Sequence, residues 1–213
     1  MIIYTGSKIQ FTEDVRLNRI EEAISAKMQN KFKLRVSKSE VASWRNSLNF
    51  MFNLLIDPQI PSSSRVAIEY NIPLTNRRVD FMLTGKDQNR KEVALIIELK
   101  QWSDVHLTDK DAIVATFLNG GLRETNHPSY QAWSYASMIE DYNETVRDDH
   151  VFFQPCAYLH NLHSPDVICH VHYKTHIEKA PVFLAKDAQK LAHFIKSNIK
   201  SYIIFEYSIE RSS

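Results

Sequence analysis

The chain has 213 residues, of which 44% are hydrophobic and 24% are charged. These values are close to the average for globular domains, so disorder, collagen and coiled coil describe it poorly. Its 26 Lys and Arg residues balance 25 Asp and Glu residues to a formal net charge of +1, so any contact with a polyanion must come from a local patch. The 4 glycines leave almost no material for a glycine-rich linker or a phosphate-binding glycine loop.

Apolar runs and cysteines indicate where the protein resides. Runs such as residues 93–97 fall far short of the roughly 20 residues that a spanning helix needs, so we expect no membrane span. The first residues lack a basic segment followed by a hydrophobic core, and no secretory signal is predicted. Nothing requires Cys156 and Cys169 to be oxidised, which favours the reducing cytoplasm.

The first part of the chain has the pattern of two amphipathic helices. Apolar residues recur at helical spacing across residues 11–32, with acidic residues early and lysines late, which predicts one helix there. Ser37 and Glu40 have the S-x-x-E spacing of a capping box, and the periodicity after them predicts a second helix that runs to about Asp57. Pro58 ends it.

The pattern changes from helical to extended after Arg65. Residues 66–71, 78–84 and 92–102 are strand candidates separated by short turn-forming segments, which predicts an antiparallel meander. The third candidate is apolar on both faces until its end, as expected for a central strand that helices cover.

The remaining segments alternate between helix and strand. We predict a short helix at 109–118, a turn at 119–121, a helix from 127 through 142, a strand at 151–159 and a last helix from 187 to about 201. This order predicts an α/β fold whose mixed central sheet contains a three-strand meander plus a further strand and is flanked by helices on both faces.

Three charged residues are placed to meet at one end of this sheet. Alternate residues of a strand share a face, so Glu98 and Lys100 point the same way, about 7 Å apart. Asp80, on the preceding strand, is expected to point away from the apolar residues of its own strand. Those apolar residues are Val79, Phe81 and Leu83. If the two strands are neighbours, Asp80 and Glu98 converge with Lys100 beside them.

Two carboxylates in a half-buried cleft raise each other's proton affinity, and a divalent cation relieves that cost. Oxygen ligands suit Mg²⁺ or Mn²⁺, and Mg²⁺ is typically held by one or two carboxylates together with substrate phosphates. Such a metal polarises a phosphodiester and lowers the pKa of a bound water, while Lys100 can orient the nucleophile or stabilise developing negative charge.

These residues resemble a known signature. Asp80 followed by Glu98-Leu99-Lys100 on the next strand is similar to the motif of the PD-(D/E)xK nuclease superfamily, with Val79 at the position of its Pro. The resemblance implies a restriction-endonuclease-like core and metal-dependent phosphodiester hydrolysis. It also implies that Asp80, Glu98 and the main-chain carbonyl of Leu99 hold the metal.

Two further elements extend the resemblance. Gln131 and Tyr135, four residues apart on one helical face, resemble the Q-x-x-x-Y element of the RecB-like branch, which implies that they support the substrate beside the active site. Glu40 resembles the acidic residue that the superfamily often carries on the helix before the sheet, where it can bridge to the metal through water. Capping of that helix with Ser37 is an equally good account of Glu40.

Basic residues near these motifs are candidates for contact with nucleic acid. Arg77, Arg78 and Arg123, the last beside Gly120-Gly121, could bind phosphate, although solvated charges are the ordinary alternative. Glu69 is a candidate further ligand on the first strand, with a surface or cross-strand partner as the alternative.

A longer resemblance covers nearly the whole chain. Segments 68–73, 97–102, 127–135 and 155–161 are similar to the amino-terminal nuclease-like region of bacterial proteins that continue into a helicase motor. No G-x-x-x-x-G-K-[ST] motif occurs in this sequence, so the resemblance implies either a domain excised from such a protein or a standalone relative. We predict one nuclease-like domain over 1–213, with a helical lead-in at 1–57, a catalytic core at 65–161 and a tail with a carboxy-terminal helix at 162–213.

The predicted function is metal-dependent hydrolysis of phosphodiester bonds in DNA, in DNA processing or phage defence, with RNA as the alternative nucleic acid. A helicase motor in the same polypeptide is the implied partner. The alternative function is a catalytically silent module that binds nucleic acid or docks a protein. Its cleft variants would change little, and it would bind DNA equally with and without metal.

Overall fold

The structure is a computed structural model, and it describes residues 2–32, 37–118, 120–142, 146, 148 and 150–200. The strands in these residues are β1 (Ile2–Ser7), β2 (Arg65–Asn71), β3 (Arg78–Lys86), β4 (Glu92–Lys100), β5 (His106–Leu107), β6 (Ile113–Leu118), β7 (Gly121–Asn126), β8 (Phe152–Leu159) and β9 (Val182–Leu184). The α-helices are α1 (Lys8–Arg16), α2 (Ile20–Phe32), α3 (Lys38–Leu55), α4 (Pro128–Tyr142), α5 (Lys174–Lys179) and α6 (Ala188–Asn198).

The protein has an α/β fold built on a mixed six-stranded sheet of order β1-β2-β3-β4-β8-β9. Strands β1, β2, β3 and β4 are each antiparallel to the next, whereas β8 runs parallel to both β4 and β9. The predicted meander of β2, β3 and β4 and its further strand β8 are therefore confirmed. A separate antiparallel sheet contains the three strands β5, β6 and β7.

Helices cover both faces of the large sheet, as predicted. Along β4, Leu95 and Ile97 pack into a core with side chains of α1, α2, α3 and α6. The intervening Ala94 and Ile96 pack instead against α4. Burial on both faces explains why β4 is apolar along nearly its whole length.

Side chains of a regular strand alternate between the two faces of the sheet. Within each of β1, β2 and β3 this alternation is interrupted once, which we call a change of phase. In each strand, one pair of residues two apart packs into opposite cores: Ile2 and Tyr4, Ile68 and Tyr70, and Val79 and Phe81. Glu69 lies at the change in β2 and has a φ of 53°, a left-handed conformation that is unusual for a residue with a side chain. The prediction that Val79 shares one face with Phe81 and Leu83 is therefore wrong. Asp80 lies where the phase changes.

The predicted helix at 11–32 is two helices. Helix α1 ends at Arg16, and Asn18 has a φ of 53° before α2 begins. Asn tolerates this conformation because its short polar side chain can form hydrogen bonds to nearby backbone. The chain therefore turns sharply at Asn18, although apolar residues keep a helical spacing on both sides of the turn. The strand β1 before α1 was not predicted, and it pairs with β2 at the edge of the sheet.

The predicted helix at 109–118 is wrong, because residues 113–118 form β6 and pair with β7 across a turn at Gly120. Gly120 has a φ of 80°, which favours glycine. β9 was also not predicted. Asn119 and residues from 201 onward, including the predicted end of the last helix, lie outside the described residues. Among the described helices, none combines the length and the apolar character that crossing a bilayer requires.

Candidate functional site

Asp80 and Glu98 lie across from each other at the point where β3 and β4 stop pairing. The register of these strands runs through Phe81 opposite Ile97, so the next positions along are Asp80 and Glu98. In place of a backbone partner, the Leu99 N–H donates to Asp80 Oδ2 over 2.9 Å. At the end of β4, the carboxylate of Asp80 therefore accepts the hydrogen bond that a backbone carbonyl accepts in a regular strand pair.

The two carboxylate oxygens of Glu98 have different surroundings. Oε1 accepts from Lys100 Nζ at 2.6 Å and from Gln131 Nε2 at 2.6 Å. Oε2 is buried and accepts no hydrogen bond from the described residues, and the carboxyl group of Asp80 is close enough to raise the pKa of Glu98. Gln131 Nε2 also lies 3.0 Å from the Tyr135 hydroxyl. The structure therefore brings Asp80, Glu98, Lys100, Gln131 and Tyr135 into one cluster, with one buried acceptor unsatisfied.

Burial and neighbouring charges shift the pKa values in this cluster. Glu98 is 1% exposed, and its burial together with the charge of Asp80 raises its pKa well above the ordinary value. Burial alone would lower the pKa of Lys100, but the carboxylates of Glu98 and Asp80 outweigh burial and raise it. Burial and the charge of Glu98 also raise the pKa of Tyr135. At neutral pH, Lys100 is therefore an ammonium group and Tyr135 a neutral phenol.

A second polar cluster lies on the α3 side of Asp80. Glu69 accepts from Trp44 Nε1 at 2.9 Å and forms an ion pair with Arg78 at 3.0 Å. Its pKa is raised by burial and by the charge of Asp80. Trp44, Glu69 and Asp80 line a pocket of about 90 Å³ that Leu99 also lines. Of the two roles considered for Glu69, the structure shows the one with a cross-strand partner.

The three other predicted site residues have different surroundings. Glu40 is exposed, and its Oε2 accepts from the Ser37 backbone N–H at 2.8 Å and from the Ser37 hydroxyl at 2.9 Å. The predicted capping box is therefore present, and it lowers the pKa of Glu40. The exposed Arg77 guanidinium lies 6.0 Å from the centre of the Tyr135 ring, whereas Arg123 is exposed on β7 of the small sheet.

The oxygen atoms of the site fit a hard divalent cation. The described residues contain no group of three or more His, Cys, Asp or Glu side chains arranged to hold a metal ion. The candidate ligands are the carboxylates of Asp80 and Glu98 and the carbonyl of Leu99. That set suits Mg²⁺, which keeps several waters and needs only one or two carboxylates. The unsatisfied Glu98 Oε2 is the atom that such an ion would satisfy.

Residues beyond the end of β4 were missed by the sequence analysis. Gln101 Nε2 lies 2.7 Å from the Ser43 carbonyl oxygen and 3.1 Å from the Ser47 hydroxyl on α3. His160 Nε2, at the end of β8, lies 3.0 Å from the same Ser47 hydroxyl. The only signal in the sequence was the polar Gln101 directly after Lys100, which does not reveal a partner far away in the chain.

Comparisons with protein-family models, with curated proteins and with solved structures found no match. The class of this protein must therefore be argued from the chemistry of its site. A buried carboxylate, a half-buried carboxylate, an ammonium group and two uncharged polar side chains form that site.

Proposed function

We propose that the protein is a metal-dependent nuclease domain that hydrolyses phosphodiester bonds in DNA. One observation carries the proposal. Glu98 is buried with one oxygen saturated by Lys100 and Gln131 and the other unsatisfied beside Asp80. A buried unsatisfied carboxylate oxygen is costly, and a Mg²⁺ or Mn²⁺ ion supplies the positive charge that it lacks.

The order of elements supports the same proposal. A helix, α3, precedes the meander of β2, β3 and β4, and α4 then leads to the parallel strand β8. That is the order of the restriction-endonuclease-like core that the sequence motifs imply. Asp80 and the Glu98-Leu99-Lys100 segment lie at one end of this meander, and α4 places Gln131 beside them.

Each side chain of the site has a distinct task in the proposed reaction. A metal ion held by Asp80, Glu98 and the carbonyl of Leu99 supplies Lewis acidity toward the phosphodiester. Lys100 donates to Glu98 at 2.6 Å, so its ammonium group lies where it can act on negative charge that develops during hydrolysis. Gln131 holds Glu98 in place and, with the neutral Tyr135 hydroxyl, offers uncharged hydrogen-bonding groups to the substrate.

The direct test is incubation of the protein with linear and circular DNA, single- and double-stranded, in Mg²⁺, Mn²⁺ or chelator. We expect cleavage that requires the metal, and cleavage of circles identifies endonucleolytic entry. Lys100→Ala should lower the rate by about 100-fold or more, as loss of one electrostatic donor does in other enzymes. Lys86→Ala is the matched control, because Lys86 pairs with Glu92 at the other end of the same strands over 3.1 Å.

Two results would contradict the proposal. Full activity in Lys100→Ala would show that the ammonium group of Lys100 is dispensable and does not have the role assigned to it. Binding of DNA to equal extent with metal or chelator, with no cleavage of any substrate, would favour the silent nucleic-acid-binding or docking module instead.

A further inference from the structure

A groove runs from the candidate site toward the small sheet. It has a volume of about 370 Å³, and its walls come from α3, from the segment after β4 and from β6. Its main lining residues are Ser43, Lys100, Gln101, Trp102, Thr116 and Phe117. Lys100 belongs both to this groove and to the cluster around Glu98, so a molecule bound at the site extends directly into the groove.

The walls of the groove are held in place by hydrogen bonds on both sides. On one side, Gln101 Nε2 lies 2.7 Å from both oxygen atoms of Ser43 on α3. On the other side, the Thr116 hydroxyl donates to the Asp104 carbonyl over 2.6 Å, which ties β6 to the segment after β4. Asn161 Nδ2 donates to the Gln101 carbonyl from beyond β8. The groove is therefore preformed, and binding in it costs little ordering of the protein.

Two aromatic side chains offer apolar surface in this groove. Trp102 is half-buried and lies beneath Lys100, whose Nζ is 5.4 Å from the ring centre. Phe117 is 70% exposed near the end of β6, so it adds little to any core. A flat aromatic ring at the edge of a polar groove is suited to stacking with a planar partner.

The two ends of the groove carry charged side chains of opposite sign. Lys100 provides positive charge at the end next to Glu98, whereas Asp104, paired with His106 at 3.0 Å, places an exposed carboxylate farther along. Because Asp80 and Glu98 offset the charge of Lys100, a phosphate is favoured at that end when a cation occupies the proposed metal site, and it is disfavoured beside Asp104. The part of a nucleotide that suits the apolar surfaces of Trp102 and Phe117 is its uncharged base.

We propose that this groove holds an unpaired nucleobase of the substrate strand, stacked on Trp102 and Phe117, next to the phosphate at the metal site. The inference rests on the proposed nuclease function and adds the substrate class. The base must be unpaired, because bases inside a duplex are already stacked and paired and their faces are not available. Substrates with single-stranded character at the point of cleavage are therefore preferred over intact duplex.

The test is a binding measurement in Ca²⁺, a hard cation that also takes oxygen ligands, with a short oligothymidylate and a matched duplex as probes and gel analysis to confirm that both stay intact. Tryptophan emission of the full chain should fall as oligothymidylate binds, because stacking on Trp102 quenches it, and Trp102→Phe should remove most of that change. Phe117→Ala should weaken binding of oligothymidylate by roughly fivefold to 100-fold, the range expected for one stacked base. Phe152→Ala, which truncates a Phe that is 58% exposed at the opposite end of β8, should change nothing.

The outcomes separate this inference from the proposed function. Equal affinity of the wild type and Phe117→Ala for oligothymidylate overturns the groove assignment, as does an unchanged tryptophan emission. Metal-dependent cleavage that is equally fast in both proteins on single-stranded substrate also overturns it, while leaving the nuclease function intact. Phe117-dependent binding without cleavage in any metal supports the groove and contradicts the nuclease.

Discussion

The two carboxylate oxygen atoms of Glu98 differ in their hydrogen bonding. Oε1 has two donors, and one of them is a charged ammonium group at 2.6 Å. Oε2 has no partner in the described part of the chain. The carboxylate is thus fixed in orientation by one atom while the other stays available, which is the arrangement that a preorganised ligand requires.

Asp80 has two separable roles at the same position, one as a charge and one as a hydrogen-bond acceptor. Asp80→Asn keeps an acceptor for the Leu99 N–H and removes a negative charge beside Glu98. We expect its free energy of unfolding to stay within about 1 kcal/mol of the wild type, whereas Asp80→Ala should lose about 1–3 kcal/mol. Urea unfolding measures both values, and both variants should lack metal-dependent cleavage.

Equal destabilisation by the two variants would contradict this separation. In that case, the negative charge of Asp80, and not its acceptor oxygen, would be the property on which folding depends. The comparison is well matched because Asn and Asp have nearly the same shape.

At the scale of elements, the start of α4 is held by a buried histidine. His127 Nδ1 accepts from the Ser129 N–H at 3.2 Å, and its Nε2 donates to the Ile168 carbonyl over 2.9 Å. The His127 carbonyl also accepts from the Gln131 N–H. A carbonyl can only accept and an amide N–H can only donate, so His127 is neutral with its proton on Nε2. This neutral ring positions the helix that carries Gln131 and Tyr135.

Burial of His127 predicts a loss of stability in acid. Burial lowers its pKa to about 4, below the ordinary value near 6.5 of the unfolded chain. The stability is therefore complete above about pH 6.5 and is lost as the pH falls toward about 4, by roughly 3 kcal/mol in total. Urea unfolding across this range should show a smaller acid loss in His127→Gln than in the wild type.

His163→Gln is the control for this measurement, because His163 is exposed. Its pH dependence should follow that of the wild type. An identical acid loss in His127→Gln and the wild type would show that other groups, and not His127, cause the acid sensitivity.

Some elements could be predicted from local sequence and others could not. The start of α3 followed from Ser37 and Glu40, because a capping box is a contact between residues three apart. The strand β6 was missed because the apolar residues of 113–118 also fit a helix. The β-branched Ile113, Val114 and Thr116 before Gly120-Gly121 were the signal for a hairpin.

The whole molecule has a net charge of only +1, and the site concentrates carboxylates in one place. A cation that binds the folded state alone stabilises it by mass action. We expect Mg²⁺ at about ten times its dissociation constant to raise the free energy of unfolding by about 1.4 kcal/mol. Thermal or urea unfolding in Mg²⁺, with sodium at the same ionic strength as reference, measures the gain.

Glu98→Gln should show no such gain from Mg²⁺, because the variant lacks the negative charge that attracts the cation. A Mg²⁺ effect of the same size in Glu98→Gln would place the ion elsewhere on the protein. Such a result would remove the metal from the proposed site.

The positions of the main site residues could be predicted from the sequence, whereas the contacts that hold them in place could not. Asp80, Glu98 and Lys100 could be predicted to meet because two antiparallel strands joined by a short turn fix their relative position. The bond between Trp44 and Glu69 could not, because it joins a helix to a strand 25 residues later and depends on how α3 packs. Contacts of that kind arise from the whole fold, and no local pattern encodes them.

The change of phase in β1, β2 and β3 limits how this site can be moved to another scaffold. It occurs inside the strands, with Asp80 at the change in β3 and Glu69, in its left-handed conformation, at the change in β2. Engineers usually transplant a binding site by exchanging loops. Here an exchange of loops would not transfer the change of phase or the residues at it. A graft would have to carry three neighbouring strands with their shared irregularity, so the proposed site is inseparable from its framework.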